Sequence, residues 1–261
     1  MALVTFIEAT DLNDAWFQAL HKIMGKGRKY LITKGSNEGI HRAGLPIIIE
    51  IKYPGVRPLA VIMPGGSNLA PPTTQDDIEE YASYLMTPVR APNEHYTYGE
   101  DLYWQMEWVI KHYHKDEGGH GNNHCYMTVG RPETVHHYDT DVEYSEVIVV
   151  TSRETGKDIR VYDRSNAWNR NPDNKPSSQC LRGIDTWIDK GKLHFWVYFR
   201  SWDHWGGFPV NLGGIQLMKE YMASQIGVED GSLIVSSKDL HVYEHTWIVA
   251  LMRLGKYEKE E

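Results

Sequence analysis

The sequence predicts an α+β fold, a single layered domain over residues 1–261 in which helices pack on a mixed β-sheet. Strand-like runs rich in β-branched and aromatic residues are interspersed with helical patterns, without the strict strand–helix alternation that gives a wholly parallel sheet. No period of about 20–50 residues repeats, and no low-complexity linker divides the chain. A length of 261 residues is sufficient to bury a full hydrophobic core.

Five segments have the composition of β-strands, with apolar residues in short runs or in alternation. They are 46–53, 146–152, 157–163, 192–201 and 232–237. In the fourth segment one face is apolar and is formed by Leu193, Phe195, Val197 and Phe199. The opposite face carries His194, Trp196, Tyr198 and Arg200. Because this second face is too aromatic to be left in water, we expect a partner subunit in a homodimer, or a ligand cavity, to cover it.

Two segments have the spacing of amphipathic helices. The first is predicted over 78–85, where Thr73 or Thr74 can cap the helix and acidic residues occupy its first turn. In the second, apolar residues recur at steps of three and four, at Leu212, Ile215, Met218, Met222 and Ile226. We expect this helix to end near Gly227, since glycine readily adopts the left-handed conformation found after a helix C-terminus.

Composition limits the classes of function. Lys and Arg number 27 against 35 Asp and Glu, which gives a formal charge of -8. An acidic chain lacks the positive field that broad binding to DNA or to anionic membranes requires. The start of the chain does not resemble a signal peptide, no apolar run is long enough to span a membrane, and two cysteines make no disulfide framework. We therefore expect a soluble cytoplasmic protein.

The two cysteines differ in their surroundings. Cys180 follows a long polar loop over 162–179, Arg182 lies next to it, and Arg200 lies at the far end of the following hairpin-like segment. Long loops of this kind are often functional, and a nearby guanidinium favours the reactive thiolate, so Cys180 is the candidate nucleophile. Cys125 opens an apolar, strand-like run, and we expect it to be structural.

A histidine-rich stretch over 112–137 raises the question of a metal site. Histidine and cysteine are preferred ligands of zinc. The spacing here fits no familiar ligand pattern, and the acidic residues and glycines between the histidines are typical of a solvated loop. We therefore expect no metal.

Four motifs in the last third of the chain occur in a fixed order. Cys180 is followed 23 residues later by Asp203, the last residue of an Arg-Ser-Trp-Asp segment, and Asn211 stands eight residues beyond it. The segment 239–243 then reads Asp-Leu-His-Val-Tyr. In order and spacing these motifs resemble the folate-dependent thymidylate synthase family, which has a catalytic cysteine, an Arg-Ser-Cys-Asp motif, an asparagine and an Asp-x-His-x-Tyr motif.

The resemblance implies roles for the residues that meet the nucleotide. Cys180 would attack C6 of a bound uridylate and so make C5 nucleophilic. Arg200 would contact both the thiolate and the nucleotide phosphate, and Ser201 would be a second phosphate ligand. Asn211 would hold the pyrimidine edge, because an amide offers both a donor and an acceptor to uracil O4 and N3–H.

The resemblance also implies residues for the sugar and for the co-substrate. His241 and Tyr243 would bind the deoxyribose hydroxyl. Asp203 would face the pterin of 5,10-methylenetetrahydrofolate, and Gly207 would admit it.

Over residues 75–130 the resemblance is looser. The segment Ile-Glu-Glu-Tyr-Ala-Ser-Tyr-Leu looks like the helix that carries the family's catalytic glutamate, which implies that role for Glu80. The alternative for Glu80 is an exposed helix carboxylate beside Glu79. A Tyr-Gly pair that begins at Tyr98 resembles the pair whose tyrosine is tied to proton removal from C5.

The sequence departs from the common family pattern at several points. The cysteine lies in Gln-Cys-Leu where the family has Pro-Cys-His, and Trp202 replaces the second thiol of the Arg-Ser-Cys-Asp motif. Asn and His occupy 122–124, where the partner's phosphate-binding arginine pair is expected. Before residue 70, the possible phosphate contacts are Arg42 or Lys34. Sixteen residues follow His245, fewer than the tail that closes over folate. These features resemble the divergent archaeal-type branch of the family.

The resemblance implies a homodimeric methyltransferase that converts dUMP to dTMP with methylenetetrahydrofolate as co-substrate. A dUMP or dCMP hydroxymethylase on the same scaffold is the alternative, because a poorly closed site admits water to the same intermediate. A third hypothesis is a catalytically idle nucleotide- or RNA-binding regulator. The acidic charge and the retained pair of Cys180 and Arg200 argue against that third hypothesis.

Overall fold

The computed structural model of the chain describes residues 3–33, 37–64, 69–89, 96–115, 123–130, 148–151, 158–161 and 179–256. Residues 162–178 of the polar loop, residues 116–122 and 131–137 of the histidine-rich stretch, and Lys34 lie outside these residues. Within them the chain forms one main mixed sheet with helices packed on it, so the predicted α+β class is confirmed.

The main sheet contains eight strands within the described residues. These are β1 Thr5–Ala9, β2 Arg28–Leu31, β3 His41–Ile51, β4 Tyr126–Thr128, β7 Leu181–Asp189, β8 Lys192–Phe199, β9 Trp202–Asp203 and β10 Glu229–Tyr243. Their order is β1-β3-β10-β8-β7-β4, with β2 paired to β3 and β9 paired to β10. Strands β5 (Ile148–Thr151) and β6 (Asp158–Val161) form a separate antiparallel pair. Parallel pairing of β1 with β3 and of β10 with β8 makes the sheet mixed.

Each of the five predicted strands is present, and β10 is longer than its predicted segment. The strand continues through an irregularity between Ser237 and Leu240 and includes the whole Asp-Leu-His-Val-Tyr segment. There it pairs in parallel with β9, which places His241 opposite Asp203. Two motifs that are far apart in sequence therefore lie side by side on neighbouring strands.

Five α-helices accompany the sheet in the described part of the chain. They are α1 Leu12–Lys26, α2 Gln75–Met86, α3 Gly99–Lys115, α4 Gly207–Ile226 and α5 Trp247–Arg253. Helices α2 and α4 were predicted, whereas α1, α3 and α5 were not. Thr74 caps α2 through a reciprocal pair of hydrogen bonds with Asp77, and α4 ends at Gly227 with a φ of 86°, as expected for a glycine C-cap.

Helix α4 is the central helix of the core and packs tightly on α2. A Cβ at Gly213 would lie 2.8 Å from the Ile78 side chain, and a Cβ at Gly214 would lie 2.7 Å from the ring of Tyr81. Both distances are shorter than normal carbon contacts, so only glycine allows this approach of the two helices. The close packing holds the exposed edge of α2, including Glu80, beside the first turns of α4.

One face of β8 remains aromatic and open in the single chain. Trp196 is 45% exposed and Tyr198 is 39% exposed, and Tyr126 on β4 is 52% exposed. The expectation that a second subunit covers this face stays a prediction. None of the helices in the described ranges combines the length and apolar character needed to cross a bilayer.

Candidate active site

Most of the residues predicted for the site line one cavity of about 430 Å³ between α2, the start of α4 and the strand ends. From the predicted set it contains Glu80, Tyr98, Cys180, Ser201, Asp203, Gly207 and Asn211. The remaining lining residues are Asp77, Tyr81, Tyr84, Tyr96, Trp202 and Val210. Arg200, His241 and Tyr243 lie outside this lining. Arg200 directly precedes Ser201 in the chain, and His241 is paired with Asp203 on the neighbouring strand.

Cys180 lies immediately before β7 and is largely buried. Its backbone carbonyl accepts a hydrogen bond from the backbone N–H of Arg200 at 2.9 Å, which fixes the end of β8 against the cysteine. Burial raises the pKa of the Cys180 thiol, and the charges of Arg200 and Arg42 oppose that rise. From the sequence, the guanidinium is expected to favour the thiolate. The charge effect has that direction, but burial outweighs it.

The guanidinium of Arg200 is held in place by the chain that precedes the thiol. Its Nε donates to the backbone carbonyl of Gln179 at 3.1 Å. Gln179 is itself buried, so the Arg200 side chain is tied to the same backbone turn that presents Cys180. The arrangement keeps a positive charge close enough to Cys180 to oppose part of the rise in thiol pKa that burial causes.

Tyr98 is buried beside Cys180. Its hydroxyl accepts a hydrogen bond from the backbone N–H of Leu181 at 3.3 Å, so the phenol oxygen lies next to the residue that follows the thiol. Burial raises the pKa of Tyr98 well above its ordinary value, so the phenol is neutral at physiological pH. The second member of the Tyr-Gly pair, Gly99, must be a glycine, because a Cβ there would collide with the backbone carbonyl of Thr87.

Of the two neighbouring glutamates on α2, only Glu80 lines the cavity. Glu79 points to a different side of the helix, where its carboxylate accepts from the Gln75 amide at 3.1 Å and its carbonyl accepts from Ser83. This difference in direction agrees with the helical spacing of adjacent residues, which project about 100° apart. Glu80 is an exposed helix carboxylate and also lines the cavity, so its catalytic role stays a prediction.

Asp203 organises the start of α4. Its Oδ2 accepts from the backbone N–H groups of Gly206 at 3.1 Å and Gly207 at 2.9 Å. These are amides at the helix N-terminus, where unpaired donors favour a negative charge. A Cβ at Gly207 would lie 3.2 Å from Asp203 and 3.6 Å from Asn211, so the missing side chain keeps the cavity wall open at this point.

Asn211 projects into the cavity from the second turn of α4. Its Oδ1 accepts a hydrogen bond from the indole Nε1–H of Trp202 at 2.9 Å. Trp202 occupies the position where the family motif has a second thiol, and its ring is 1% exposed. The substitution therefore introduces a direct contact to Asn211, the residue expected to hold the pyrimidine.

A second cluster lies beside the cavity on β10 and β3. Arg42 pairs with Asp239 at 2.9 Å, and Tyr30 donates to the same carboxylate at 2.8 Å. His241 is 2% exposed, its Nδ1 lies 3.3 Å from that carboxylate, and its Nε2 has no hydrogen-bond partner among the described residues. Asp239 thus orients Arg42 and His241 together. The Tyr243 hydroxyl accepts from Asn37 at 2.9 Å.

Sequence reasoning missed a group of tyrosines around the thiol. The rings of Tyr81, Tyr84 and Tyr96 pack with Tyr98, at centroid distances of 5.5 to 6.2 Å from it. The Tyr81 hydroxyl is buried and makes no hydrogen bond of standard geometry with the described residues. Burial raises the Tyr81 pKa well above its ordinary value, whereas the neighbouring Asn211 amide favours the ionised form. The sequence signal for Tyr81 was its position next to Glu80. Its spacing, however, also fits the apolar face of helix α2.

In the part of the chain that the structure describes, no group of three or more His, Cys, Asp or Glu side chains is arranged to hold a metal ion. The described histidines of the histidine-rich stretch include His112, which stacks on Trp108 at 4.6 Å. Cys125 is fully buried, in agreement with the structural role expected for it.

Comparisons with known proteins agree with the motifs. The thymidylate synthase family model matches residues 137–259. A protein of Methanosarcina acetivorans named "Putative thymidylate synthase" is 25% identical over 245 residues, which cover 92% of this chain and 90% of that protein. A protein of the same name from Methanococcoides burtonii is 26% identical over 256 residues, which cover 94% of this chain and 93% of its own length.

The fold is also that of a solved thymidylate synthase. The thermostable thymidylate synthase A of Bacillus subtilis superimposes with a TM-score of 0.59 at 13% sequence identity, covering 96% of this chain and 86% of that one. Together with the archaeal relatives, these matches confirm the resemblance read from the motifs. The chain therefore has the fold of a thymidylate synthase, and the thymidylate synthase family model matches its residues 137–259.

Proposed function

We propose that this chain is a thymidylate synthase-type enzyme that transfers a one-carbon unit from 5,10-methylenetetrahydrofolate to C5 of dUMP and yields dTMP. The observation that carries the proposal is the single cavity that joins Cys180, Glu80 and Tyr98 with Asn211 and Asp203. These residues come from four separate parts of the sequence. Their convergence on one cavity supports a common substrate.

The first chemical step uses Cys180. Its thiolate adds to C6 of the uracil ring, and the electron pair moves to C5, which then attacks the one-carbon unit. The positive charges of Arg200 and Arg42 stabilise the thiolate against the burial that raises the thiol pKa. A nucleotide phosphate placed near these arginines would be held by them and by Ser201.

Removal of the proton from C5 requires a base or a chain of hydrogen bonds on the α2 and α3 side of the cavity. Tyr98 is too weak an acid to ionise at neutral pH, because burial raises its pKa. Tyr98 therefore holds a proton or a water molecule in place. Glu80, the carboxylate on the same side of the cavity, can accept the proton. Folate supplies the one-carbon unit and, in the synthase reaction, the hydride.

The remaining contacts would fix the nucleoside and the folate. Asn211 faces the pyrimidine edge, and the unpaired Nε2 of His241 with the Tyr243 hydroxyl serves the deoxyribose. Asp203 has one carboxylate oxygen engaged by the α4 amides, which holds the side chain firmly at the cavity wall where the pterin would bind.

A product assay tests the proposal and separates it from its rivals. The protein is incubated with dUMP and methylenetetrahydrofolate, and the nucleotide is identified by mass. Formation of dTMP supports the synthase, and hydroxymethyl-dUMP would instead identify a hydroxymethylase. The absence of any conversion would favour the idle nucleotide- or RNA-binding regulator. A covalent complex with 5-fluoro-dUMP in the wild type, lost in Cys180→Ser, would separately identify the nucleophile.

We further propose that the enzyme is a homodimer formed through the open aromatic face of β8. Trp196 and Tyr198 are too exposed for large aromatic side chains in an isolated sheet, and burying them against a second copy would remove that cost. Sedimentation at micromolar concentration provides the test. A monomer with exposed Trp196 would contradict the proposed dimer.

A further inference from the structure

The ring of Trp202 is fixed by stacking on both faces. It lies 4.5 Å from the ring of Phe199 with an interplanar angle of 5°, and 4.7 Å from the ring of Phe208 with an angle of 12°. The side chain is 1% exposed. A bicyclic ring held between two aromatic rings in a packed core cannot turn without displacing both. The direction of its Nε1–H bond is therefore fixed.

That N–H bond points at the side-chain oxygen of Asn211. An indole nitrogen is a donor only, so the amide atom 2.9 Å from Trp202 must be Oδ1. Turning the amide by 180° would place its NH₂ group against the indole N–H, and two donors would then face each other. The Tyr81 hydroxyl, which also interacts with the Asn211 amide, can donate or accept and so allows either orientation.

The orientation of this amide decides which pyrimidine it can hold. Uracil offers an acceptor at O4 and a donor at N3–H, whereas cytosine offers a donor at N4 and an acceptor at N3. With its orientation fixed, Asn211 can donate from Nδ2 to O4 and accept from N3–H on the second lone pair of Oδ1. Cytosine in the same place requires the turned amide, which Trp202 opposes.

We propose that Trp202 is a specificity-determining residue that makes the cavity select uracil over cytosine nucleotides by preventing the Asn211 amide from turning. The proposal rests on the proposed function, because it assumes that a pyrimidine nucleotide binds beside Asn211. It assigns a role to the very position where this chain departs from the Arg-Ser-Cys-Asp motif. A thiol at that position is a weak donor and acceptor and would leave the amide freer to turn.

The test uses nucleotide binding alone, so it depends on neither the folate nor the product. Dissociation constants for dUMP and dCMP are measured by calorimetry on the wild type and on Trp202→Phe, which keeps a ring between Phe199 and Phe208 and removes the N–H donor. Wild type should prefer dUMP by about tenfold to a hundredfold, the scale of one unmatched buried polar pair. In Trp202→Phe the preference should fall by about tenfold, mainly through tighter binding of dCMP.

A matched control removes an indole N–H that bonds a group unable to turn. Trp247 donates to the backbone carbonyl of Val242 at 3.0 Å, and a carbonyl has no alternative orientation. Trp247→Phe should therefore leave the ratio of the two dissociation constants unchanged. Should Trp202→Phe fold poorly, benzothienylalanine incorporated at position 202 keeps the bicyclic shape with sulfur in place of N–H and should show the same loss of preference.

The outcomes separate the two proposals. If the wild type prefers dUMP and Trp202→Phe and Trp247→Phe both keep that preference, the role of Trp202 is overturned and the proposed function still stands. A wild type that prefers dCMP would also overturn the role of Trp202. Failure of the wild type to bind either nucleotide would overturn the proposed function and this inference together.

Discussion

Helix α4 carries a half-buried polar side chain, Asn211, near its start and a fully buried one, Lys219, farther along, and the two differ in what surrounds them. Near the start, Asn211 and the neighbouring Tyr81 hydroxyl border a cavity, and that hydroxyl has no standard hydrogen bond among the described residues. Toward the end, Lys219 is fully buried and its ammonium meets three oxygens. These belong to the carbonyls of Gly231 and Ser232 and to the carboxylate of Asp230 at 3.1 Å.

These different surroundings indicate a ligand site at the start of α4 and a structural network around Lys219. A buried polar group without a partner costs free energy, so it persists where a bound molecule supplies the missing partner. The Lys219 charge is compensated within the protein by two backbone carbonyls and an ion pair to Asp230, although Asp230 Oδ1 accepts no hydrogen bond of standard geometry from the described residues. Changes at the cavity end should therefore alter binding and turnover, and changes at the Lys219 end should alter stability.

The largest effect is expected at the thiol. Cys180→Ser should lower turnover by at least about 10³-fold and leave the fold intact, because a hydroxyl lacks the nucleophilicity of a thiolate at neutral pH. Turnover with dUMP and methylenetetrahydrofolate, together with a thermal melt, measures both properties. The matched change Cys125→Ser lies outside the cavity lining and should cost less than about tenfold. Equal losses in the two variants would remove the distinction between the cysteines.

The next effect concerns the two glutamates of α2. Glu80→Gln should lower kcat by about 10²-fold or more, since it removes the carboxylate that lines the cavity without changing its shape. Glu79→Gln is an isosteric control one residue away, on a different side of the helix, and should change kcat less than twofold. Steady-state kinetics on both variants tests the assignment, and a larger loss in Glu79→Gln would reverse it.

At the other end of α4, Lys219→Met should destabilise the protein without changing catalysis. The variant leaves Asp230 and two backbone carbonyls without their buried donor, which should lower the free energy of unfolding by about 1–3 kcal/mol. Denaturant unfolding measures this, and kcat/KM should stay within about twofold of wild type. The control Lys192→Met removes a half-exposed ammonium that pairs with Glu229 at 3.1 Å, and should cost no more than about 1 kcal/mol.

The same network has a pH dependence with a definite sign. Burial lowers the pKa of Lys219 from 10.5 to about 8, so between these values the unfolded chain binds a proton that the folded chain does not. Stability rises with pH wherever the unfolded state binds more protons. The wild type should therefore gain stability relative to Lys219→Met as the pH rises from about 8 toward 10.5. A stability difference between the two proteins that stays constant across this window would contradict the lowering of the Lys219 pKa by burial.

Much of the fold was predictable because its signals are local. Strands β3, β8 and β10 and helices α2 and α4 follow from spacing, and the Thr74 cap and the Gly227 end follow from the conformations those residue types prefer. Helix α1 was missed although its buried positions recur at steps of three and four, from Leu12 to Ile23. The order of strands was not predicted, because pairing depends on contacts between distant segments.

The site divides in the same way. Spacing and the family resemblance identified seven of the residues that line the cavity. The position of Tyr81 was missed because it depends on the close approach of α2 to Gly214, which no local pattern reveals. The hydrogen bond from Trp202 to Asn211 joins two residues that are nine apart in sequence, across a turn. Comparison with the family motif shows only that Trp202 departs from it. Three-dimensional packing, rather than residue type, gives both residues their place.

The smallest predicted effect compares two buried tyrosine hydroxyls. Tyr81→Phe should weaken dUMP binding by about twofold to tenfold, the scale of one hydrogen bond, because the nucleotide or Asn211 loses a partner that the folded chain alone does not use fully. Its stability should be unchanged or slightly higher, since the variant removes a buried hydroxyl without a standard bond. Calorimetric titration and thermal melts on the same samples provide both values.

Tyr113 is the opposite case and serves as the control. Its hydroxyl contacts the Thr186 backbone carbonyl at 2.9 Å and the Thr186 hydroxyl at 3.0 Å, in the core beneath β7 and outside the cavity lining. Tyr113→Phe should therefore lower the free energy of unfolding by about 1 kcal/mol and leave dUMP affinity unchanged. If Tyr81→Phe loses stability and keeps its affinity for dUMP, the Tyr81 hydroxyl stabilises the fold and does not contact the ligand. The cavity would then need another residue to meet the ligand between α2 and α4.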